Sequence, residues 1–164
     1  MELDRIDIAL LRALLANARA TQVELAEKVG LSSTACARRV QALEQAGLIT
    51  GYHAALDLRA FGFATTLLVT ITLERQSEEY LSAFEAAIAR CPNVVRCFLM
   101  SGGSDYLLHV LARDIPDFER IHKEQLSRLP GVARIQTSFA IREVVHRQVP
   151  FDELPLLVTA AKSL

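Results

Sequence analysis

The sequence predicts an α+β fold in which a three-helix helix-turn-helix domain precedes an extended linker and a βαββαβ domain. Three observations support this prediction. The first 50 residues contain three short amphipathic segments separated by capping residues and glycine. From residue 65 onward, stretches with the period of a strand alternate with stretches that have the period of a helix. The hexapeptide CPNVVR at position 91 recurs as LPGVAR at position 129, 38 residues later, which indicates a duplicated unit.

The composition is that of a globular protein. Of the 164 residues, 51% are hydrophobic and 23% are charged, which is sufficient for one compact domain or two small ones. No apolar run approaches the roughly 18 residues of a membrane span, and the first 20 residues lack the pattern of a secretion signal. We therefore expect a cytoplasmic protein without a membrane partner.

Cysteine spacing and net charge limit the kinds of site that the chain can contain. Cys36, Cys91 and Cys97 are odd in number and form no C-x-x-C pair, so we expect no disulfide framework, no metal and no other cofactor. The net charge is −1, and residues 1–50 carry six Lys or Arg against six Asp or Glu. Because nucleic-acid-binding domains are usually basic, a prediction of DNA binding has to depend on local geometry.

The first two helices are predicted from their capping residues. Residues 3–17 form an amphipathic segment in which Asp4 is a suitable N-cap. Thr21 and Glu24 have the spacing of a capping box at the start of a second, shorter helix. That helix is expected to end at Gly30, which begins the short turn of a helix-turn-helix motif.

A third helix is expected to be capped by Ser32 or Ser33 and to run to Gly47. It has two contrasting faces. The side predicted to enter the core contains Cys36, Val40 and Leu43. The opposite, polar side contains Thr34, Arg38, Gln41 and Gln45. Arginine pairs with guanine and glutamine with adenine in the major groove, so these residue types suit base readout. A solvated surface helix has the same composition, and this second interpretation stays open.

The C-terminal half is predicted to form strand, helix, strand, strand, helix and strand. In the first strand, which starts at Thr65, apolar residues alternate with threonines, as expected of a half-buried strand. The later elements are expected at Ser77 to Cys91 (helix), Val94 to Met100 (strand), Tyr106 to Ala112 (strand), Asp114 to Leu129 (helix) and Val132 to His146 (strand). The duplicated hexapeptide marks the passage from helix to strand in each half.

This duplication predicts two split βαβ units that form a four-stranded antiparallel sheet with both helices on one face. The other face of the sheet is expected to be rich in Leu, Val, Phe and Ile. Because a large apolar surface needs to be covered, we expect a second copy of the chain to pack on it.

Four blocks of the sequence resemble the Lrp/AsnC, or feast/famine, family of bacterial and archaeal transcription factors. They are LDRIDIALLRAL, VELAEKVGLSSTACARRVQALEQAGLITGYHAALD, SGGSDYLLHV and LPGVARIQTSFA, and the resemblance extends from Leu3 to about Arg147. It implies an N-terminal DNA-binding domain, a swapped linking strand and a ferredoxin-like C-terminal domain that binds small effectors, commonly amino acids. Two features depart from the family: Ala35 stands where proline is frequent near the start of the recognition helix, and the segment from Phe151 lies beyond the shared pattern.

From this resemblance we expect four segments: a helix-turn-helix DNA-binding domain (residues 1–50), a linking strand (51–62), a ferredoxin-like effector-binding and oligomerisation domain (63–147) and a C-terminal tail (148–164). The expected partners are double-stranded DNA, an amino-acid effector and further copies of the chain, as a homodimer that assembles to an octamer. On the third helix, Ser33, Thr34, Arg38 and Gln41 are expected nearest to the DNA groove. Arg39 is expected at the flank of the helix, in contact with phosphate.

The resemblance also places an effector at the hairpin of residues 101–106. The candidate effector-binding residues are Gly102, Gly103, Asp105, Tyr106, Thr137 and Ser138. Glycine amides can approach a ligand carboxylate closely, Asp105 can accept an ammonium group, and the hydroxyls of Thr137 or Ser138 can add hydrogen bonds. The same hairpin sequence is typical of an ordinary tight turn, which is the alternative interpretation.

Two other functions fit parts of the sequence. Some relatives with this layout resemble siroheme decarboxylases, which would require histidines and arginines around a tetrapyrrole cleft. The four histidines, His53, His109, His122 and His146, are instead scattered over the predicted elements. A metabolite-sensing subunit that does not bind DNA is the second alternative. No P-loop, dinucleotide fingerprint, nucleophile elbow or metal-ligand cluster is visible in the sequence, so we do not expect an enzyme.

Overall fold

The computed structural model describes residues 3–146, which form two compact units. The first unit contains residues 3–55 and 145–146, and the second contains Leu56–Val144. The division between them falls inside the predicted linker, residues 51–62. The predicted tail, residues 148–164, lies outside the described residues.

The first unit contains three helices, as predicted. They are α1 (Arg5–Ala16), α2 (Gln22–Val29) and α3 (Ser33–Gln45). Both predicted caps are present: the Asp4 carboxylate accepts two backbone N–H bonds at the start of α1, and Thr21 and Glu24 form a reciprocal capping box at the start of α2. Of the two serines considered for α3, Ser32 is the N-cap.

The turn between α2 and α3 depends on Gly30. Its φ of 69° lies in the left-handed region, which glycine adopts without the steric cost that a Cβ atom would add. After this turn, α3 packs on the first two helices. The fully buried side chains at this contact are Leu10, Leu25, Cys36 and Leu43, each at most 1% exposed. The buried side of α3 therefore fixes which side of the helix faces solvent.

The linker differs from the prediction. Residues 51–57 form neither helix nor strand, and Leu58–Phe61 form a 3₁₀ helix. Among residues 3–146, strand pairing occurs only within the four-stranded sheet of the second unit. A strand needs a neighbour to satisfy its backbone N–H and C=O groups, so the predicted linking strand is not formed within one chain. A linking strand shared between two copies stays a prediction.

The second unit contains a four-stranded antiparallel sheet, as predicted. Its strands are β1 (Thr65–Leu73), β2 (Val94–Leu99), β3 (Tyr106–Ala112) and β4 (Val132–Phe139), in the order β2-β3-β1-β4. Helix α4 (Glu78–Ile88) connects β1 to β2, and helix α5 (Ile115–Glu124) connects β3 to β4. The chain thus has a helix-turn-helix unit followed in sequence by a ferredoxin-like unit, which confirms the predicted fold class.

Both helices of the second unit cover the same face of the sheet. Leu67, Val69 and Ile71 of β1 are fully buried and share one core with Phe84 of α4 and Ile121 of α5. Because side chains alternate along a strand, the intervening residues of β1 lie on the opposite, helix-free face. The predicted placement of both helices on one face is therefore confirmed.

The last strand is shorter than predicted. It ends at Phe139 rather than at His146. Its neighbour β1 begins at Thr65, and the backbone N–H of Ala140 donates to the carbonyl of Thr66 at the end of the ladder. Beyond this point β1 offers no further partner, so the apolar alternation of residues 140–146 does not produce a strand in the single chain.

The second helix of this unit is also shorter than predicted. It ends at Glu124 rather than at Leu129, and Leu126–Arg128 form a 3₁₀ helix. Leu129 is extended, with φ −66° and ψ 137°, because it precedes Pro130, and the residue before a proline avoids the α-helical conformation.

Candidate functional site

The exposed face of α3 brings together the four residues that were predicted nearest to DNA. Ser33, Thr34, Arg38 and Gln41 are all exposed, because the core contacts of Cys36, Val40 and Leu43 occupy the opposite side of the helix. Ser33 is the first helical residue, and the other three follow along one side of the helix. The face therefore presents two hydroxyls, a guanidinium and an amide to a partner.

The N-terminus of α3 differs from those of the other four α-helices among residues 3–146. Each of the others has at least one acidic residue in its first turn: Asp7 in α1, Glu24 in α2, Glu78 and Glu79 in α4, and Asp117 in α5. The first turn of α3 has none. Acidic residues at this position compensate the positive end of the helix dipole, so α3 leaves that end available to an anion such as a phosphate group.

The only acidic residue of α3 lies at the other end of the helix. The hydroxyl of Tyr52 donates to Glu44 Oε1 at 2.8 Å. Burial and this contact with Glu44 raise the pKa of Tyr52 to about 12, so the phenol stays protonated and keeps donating throughout the physiological pH range. The one negative charge of α3, on Glu44, therefore lies far from the N-terminus of the helix, which is the end that a phosphate would approach.

Arg39 has a role that the sequence analysis missed. Its Nη1 atom donates to Asp4 Oδ2 and to Asp7 Oδ1, both at 2.7 Å, and Asp7 is buried. The guanidinium is thus engaged within the first unit. The phosphate contact predicted for Arg39 stays a prediction, and the structure adds this second role within the first unit. The missed signal was Asp7, which completes a D-x-x-D capping box with Asp4 and brings a second carboxylate to the start of α1.

The hydrogen bonds and the ion pair around Asp4 keep its carboxylate charged at neutral pH. The backbone N–H of Asp7, followed by the side chain of Arg39, holds the pKa of Asp4 below its usual value. A carboxylate whose folded pKa is lowered contributes stability above its unfolded pKa and loses that contribution as the pH falls through the folded value. The contribution of Asp4 is therefore complete at neutral pH and is lost only in acid.

The hairpin between β2 and β3 has the geometry of a tight, exposed turn. The backbone N–H of Met100 donates to the carbonyl oxygen of Asp105. The backbone N–H of Asp105 in turn donates to the carbonyl oxygen of Ile71, and both distances are 2.8 Å. Gly102 has a φ of 142°, which favours glycine. Both Gly102 and Gly103 are exposed, and a Cβ atom at either position would meet no other atom within 4 Å. Both positions are therefore open to solvent.

Asp105 lies beneath this turn and is buried. Its Oδ2 accepts a hydrogen bond from the backbone N–H of Leu73 at 2.7 Å, and its Oδ1 accepts one from Gln76 Nε2 at 2.6 Å. Both carboxylate oxygens thus tie the hairpin to the end of β1. No local sequence pattern identifies Gln76, because it is 29 residues away from Asp105.

Tyr106 lies in the core rather than at the surface of the hairpin. Its ring is 1% exposed and stacks on Phe84 with a centroid distance of 4.4 Å. Its hydroxyl donates to Glu85 Oε1 at 2.8 Å, and burial together with Glu85 raises the pKa of Tyr106. The alternation of β3 points this side chain toward the helices and away from the exposed surface of the hairpin, so its predicted contact with an effector stays a prediction.

Thr137 and Ser138 are not close to the hairpin within one chain. They pair with Val69 and Leu68 in the middle of β1, whereas the hairpin contacts β1 two or more residues further along, at Ile71 and Leu73. Strand β1 also lies between β4 and β3, which separates the two candidate sets by roughly 10 Å across the sheet. As neighbours on a strand, Thr137 and Ser138 also point to opposite faces.

The helix-free face of the sheet is mixed rather than uniformly apolar. One row across the strands consists of Phe98, Leu107, Thr70 and Gln136, and the next consists of Arg96, His109, Leu68 and Ser138. Phe98 is 47% exposed and Leu68 is 43% exposed. Burial and, secondarily, Arg96 lower the pKa of His109, whose Nε2 atom is buried without a hydrogen-bond partner. The prediction of a face rich in Leu, Val, Phe and Ile was therefore only partly correct.

Residues 3–146 offer neither a metal-binding cluster nor a membrane-spanning helix. This part of the chain contains no cluster of three or more His, Cys, Asp or Glu side chains arranged to hold a metal ion. None of its helices is both long and apolar enough to cross a lipid bilayer.

Comparison with known proteins agrees with this architecture. Residues 3–50 match the family described as winged helix-turn-helix DNA-binding, and residues 66–150 match the Lrp/AsnC ligand binding domain. The Bkd operon transcriptional regulator of Pseudomonas aeruginosa is 42% identical over 91% of this chain and 97% of its own length. The proline dehydrogenase transcriptional activator of Rhodobacter capsulatus is 40% identical over 90% of this chain and 96% of its own length.

Solved structures show the same relationship. The crystal structure of a transcriptional regulator from Neisseria meningitidis in complex with L-Met has a TM-score of 0.88 and 32% identity, and the match covers 93% of this chain and 99% of that one. The likeness therefore includes both units rather than the helix-turn-helix alone. This chain belongs to the Lrp/AsnC family of transcriptional regulators.

Proposed function

We propose that this chain is a sequence-specific DNA-binding regulator of transcription whose activity is modulated by an amino acid bound to the second unit. The observation that carries the proposal is the exposed face of α3, which combines side chains of the types that pair with bases with a first helical turn free of acidic residues. The similarity to a transcriptional regulator and a transcriptional activator supports the same function. We propose no catalytic role, and we place the protein in the cytoplasm, where it meets its DNA.

The DNA contacts follow from the chemistry of this face. Arg38 offers a planar guanidinium for a guanine edge, and Gln41 offers an amide that can both donate to and accept from adenine. Ser33 and Thr34, in the first turn of α3, are positioned for phosphate or base contacts together with the backbone N–H groups of the helix N-terminus.

The assembly proposed here is a homodimer that associates further into an octamer. The mixed apolar face around Phe98, Leu107 and Leu68 supports it, because a second copy would cover the exposed side chains of Phe98 and Leu68 and the partly buried Leu107 between them. A dimer also supplies two copies of α3, which strengthens the binding of a module whose local charge is balanced.

We expect the unmodified chain to enrich a two-fold symmetric DNA motif from a library of random duplexes. Dimeric helix-turn-helix proteins place their recognition helices on half-sites about one helical turn apart, so the two half-motifs should be separated by roughly 10 base pairs. Sequencing of bound duplexes measures the motif, and light scattering at micromolar concentration measures the mass. Absence of any enriched sequence would contradict DNA readout, and a monomeric mass would contradict the assembly.

The effector is proposed to lie above Gly102 and Gly103, where there is open space at the hairpin. Their backbone groups are available to a ligand carboxylate, whereas Asp105 supports the hairpin from beneath. Thr137 and Ser138 do not reach this position in one chain, so their predicted contribution requires a second copy. Tyr106 is left out of the proposed site because its hydroxyl is bonded to Glu85 in the core.

A thermal-shift screen of the twenty amino acids tests this part of the proposal. A ligand that binds only the folded protein at about 100 times its Kd raises the free energy of unfolding by about 2.7 kcal/mol, which for a chain of this size corresponds to a rise in Tm of about 5 to 10 °C. L-Met is the first candidate, because it is bound in the Neisseria relative. If none of the twenty raised the Tm, an amino-acid effector would be the wrong class.

A further inference from the structure

Neighbouring arginines on α3 point in different directions. Arg38 is exposed on the same side as Thr34 and Gln41. Arg39 is one residue later and therefore rotated by about 100°, which places it at the edge of the buried side of the helix, close to Leu43 in rotation. Its side chain is only 33% exposed. The two arginines are therefore not interchangeable parts of one basic face.

The guanidinium of Arg39 joins the middle of α3 to the beginning of α1. One nitrogen, Nη1, contacts both carboxylates of the α1 capping box, Asp4 and Asp7, at 2.7 Å each. These aspartates are 35 and 32 residues away in sequence. They are also held by each other, since each carboxylate accepts the backbone N–H of the other residue. The anchor for Arg39 is thus built into the helix cap.

This connection is directional, unlike the apolar contacts between the same two helices. The remaining contact between α1 and α3 consists of aliphatic and other apolar side chains, whose attraction is largely non-directional. Charge-assisted hydrogen bonds depend on both distance and angle. Asp7 and Asp105 are the buried charged residues of the described part of the chain, and Arg39 supplies the cation that accompanies Asp7. The orientation of α3 is therefore tied to the ion pair.

We propose that Arg39 is a positioning residue for DNA recognition: held by Asp4 and Asp7, it sets the orientation in which α3 presents Thr34, Arg38 and Gln41 to the bases. A bidentate contact to a base edge requires precise placement of the side chain. Phosphate contacts carry no sequence information directly, so they contribute to the binding of every duplex alike. Loss of the Arg39 connection therefore reduces sequence discrimination more than it reduces total affinity.

The inference rests on the DNA-binding function proposed above, and it is tested on the full chain with two probes. One is a duplex enriched by the unmodified chain from a random library, and the other is a shuffled duplex of the same composition. The variants are Arg39→Gln, Asp7→Asn, both together, and Arg39→Lys. Arg90→Gln, which removes an exposed positive charge in the second unit, is the matched charge control. Dissociation constants are measured across a salt series.

The expected result is a loss of discrimination with an unchanged salt dependence. Arg39→Gln should lower the ratio of affinities for the enriched and shuffled duplexes by about tenfold, the scale of one base contact. Asp7→Asn should lower the same ratio, and the double variant should be no worse than the poorer single variant, because both changes break one connection. Arg39→Lys should restore part of the ratio. Arg90→Gln should leave the ratio unchanged.

Two results would overturn the inference. Equal losses on both duplexes, with the slope of log K against log salt reduced by about 0.9 and no effect of Asp7→Asn, would show that Arg39 contacts a phosphate directly. An unchanged ratio in a folded Arg39→Gln variant would limit the ion pair to stability. Thermal melting identifies variants that do not fold, and if Arg39→Gln is among them, Asp7→Asn and Arg39→Lys decide the test. Failure of the underlying function is separately visible, since the unmodified chain would then enrich no duplex.

Discussion

Replacing Arg38 by alanine is expected to lower affinity for an enriched DNA duplex by about ten- to a hundredfold, because one bidentate base contact contributes about 1 to 3 kcal/mol of discrimination. The residue is exposed on the polar side of α3, opposite to the core contacts, so its removal leaves the core of the first unit unchanged. The measurement is a pair of gel-shift titrations, one with the enriched duplex and one with a shuffled duplex of the same composition. Only the first should show the large loss.

Two matched variants separate base reading from charge. Arg38→Lys keeps the positive charge but loses the planar pair of donors, so it should lose discrimination while retaining affinity for the shuffled duplex. Arg90→Ala removes a charge from the second unit and should change neither titration. If Arg38→Ala weakened binding to both duplexes equally and Arg38→Lys restored it, Arg38 would be a phosphate contact, and base reading by this residue would be ruled out.

Replacing Asp105 by alanine is expected to destabilise the second unit. The change leaves the buried N–H of Leu73 and the amide of Gln76 without their shared acceptor. Losing charge-assisted hydrogen bonds and leaving a buried donor unpaired costs about 3 kcal/mol, or a fall in Tm of about 6 to 12 °C. Asp105→Asn should lose less, because its side-chain oxygen can still accept from Leu73 while Gln76 rotates its amide to pair with the new NH₂ group. Thermal unfolding of the three proteins gives the order.

A neighbouring substitution distinguishes support of the hairpin from contact with the effector. At Gly103 the backbone φ is not positive, and an added Cβ would meet no atom within 4 Å. Gly103→Ala should therefore leave the Tm of the free protein within about 1 °C, since surface substitutions of this kind change stability little. It should nevertheless reduce the stabilisation by an amino-acid effector. Full stability in Asp105→Ala would remove its structural role, and undiminished effector stabilisation in Gly103→Ala would move the effector away from the hairpin.

The candidate site shows where reasoning from the sequence succeeds. The exposure of Thr34, Arg38 and Gln41 could be predicted, because the spacing of Cys36 and Val40 determines which side of an amphipathic helix is buried. The site also shows where such reasoning stops. Arg39 was placed at the flank of the helix from its position along α3, which gives no information about contacts with α1. Its partners in the fold, Asp4 and Asp7, lie more than thirty residues away in the sequence. Helical periodicity relates only residues of the same helix, so it does not predict this contact.

The sequence by itself determined the elements whose signals are local: the caps at Asp4 and Thr21, the left-handed turn at Gly30, and the alternation that divides β1 into a buried and an open face. These features depend on residues within a few positions of one another, so the chain carries them in any context. The tertiary structure alone decided how buried charges are paired and where the last strand ends. Asp105 binds the end of β1, and β4 stops where β1 offers no further partner, because non-local contacts exist only after the elements have packed.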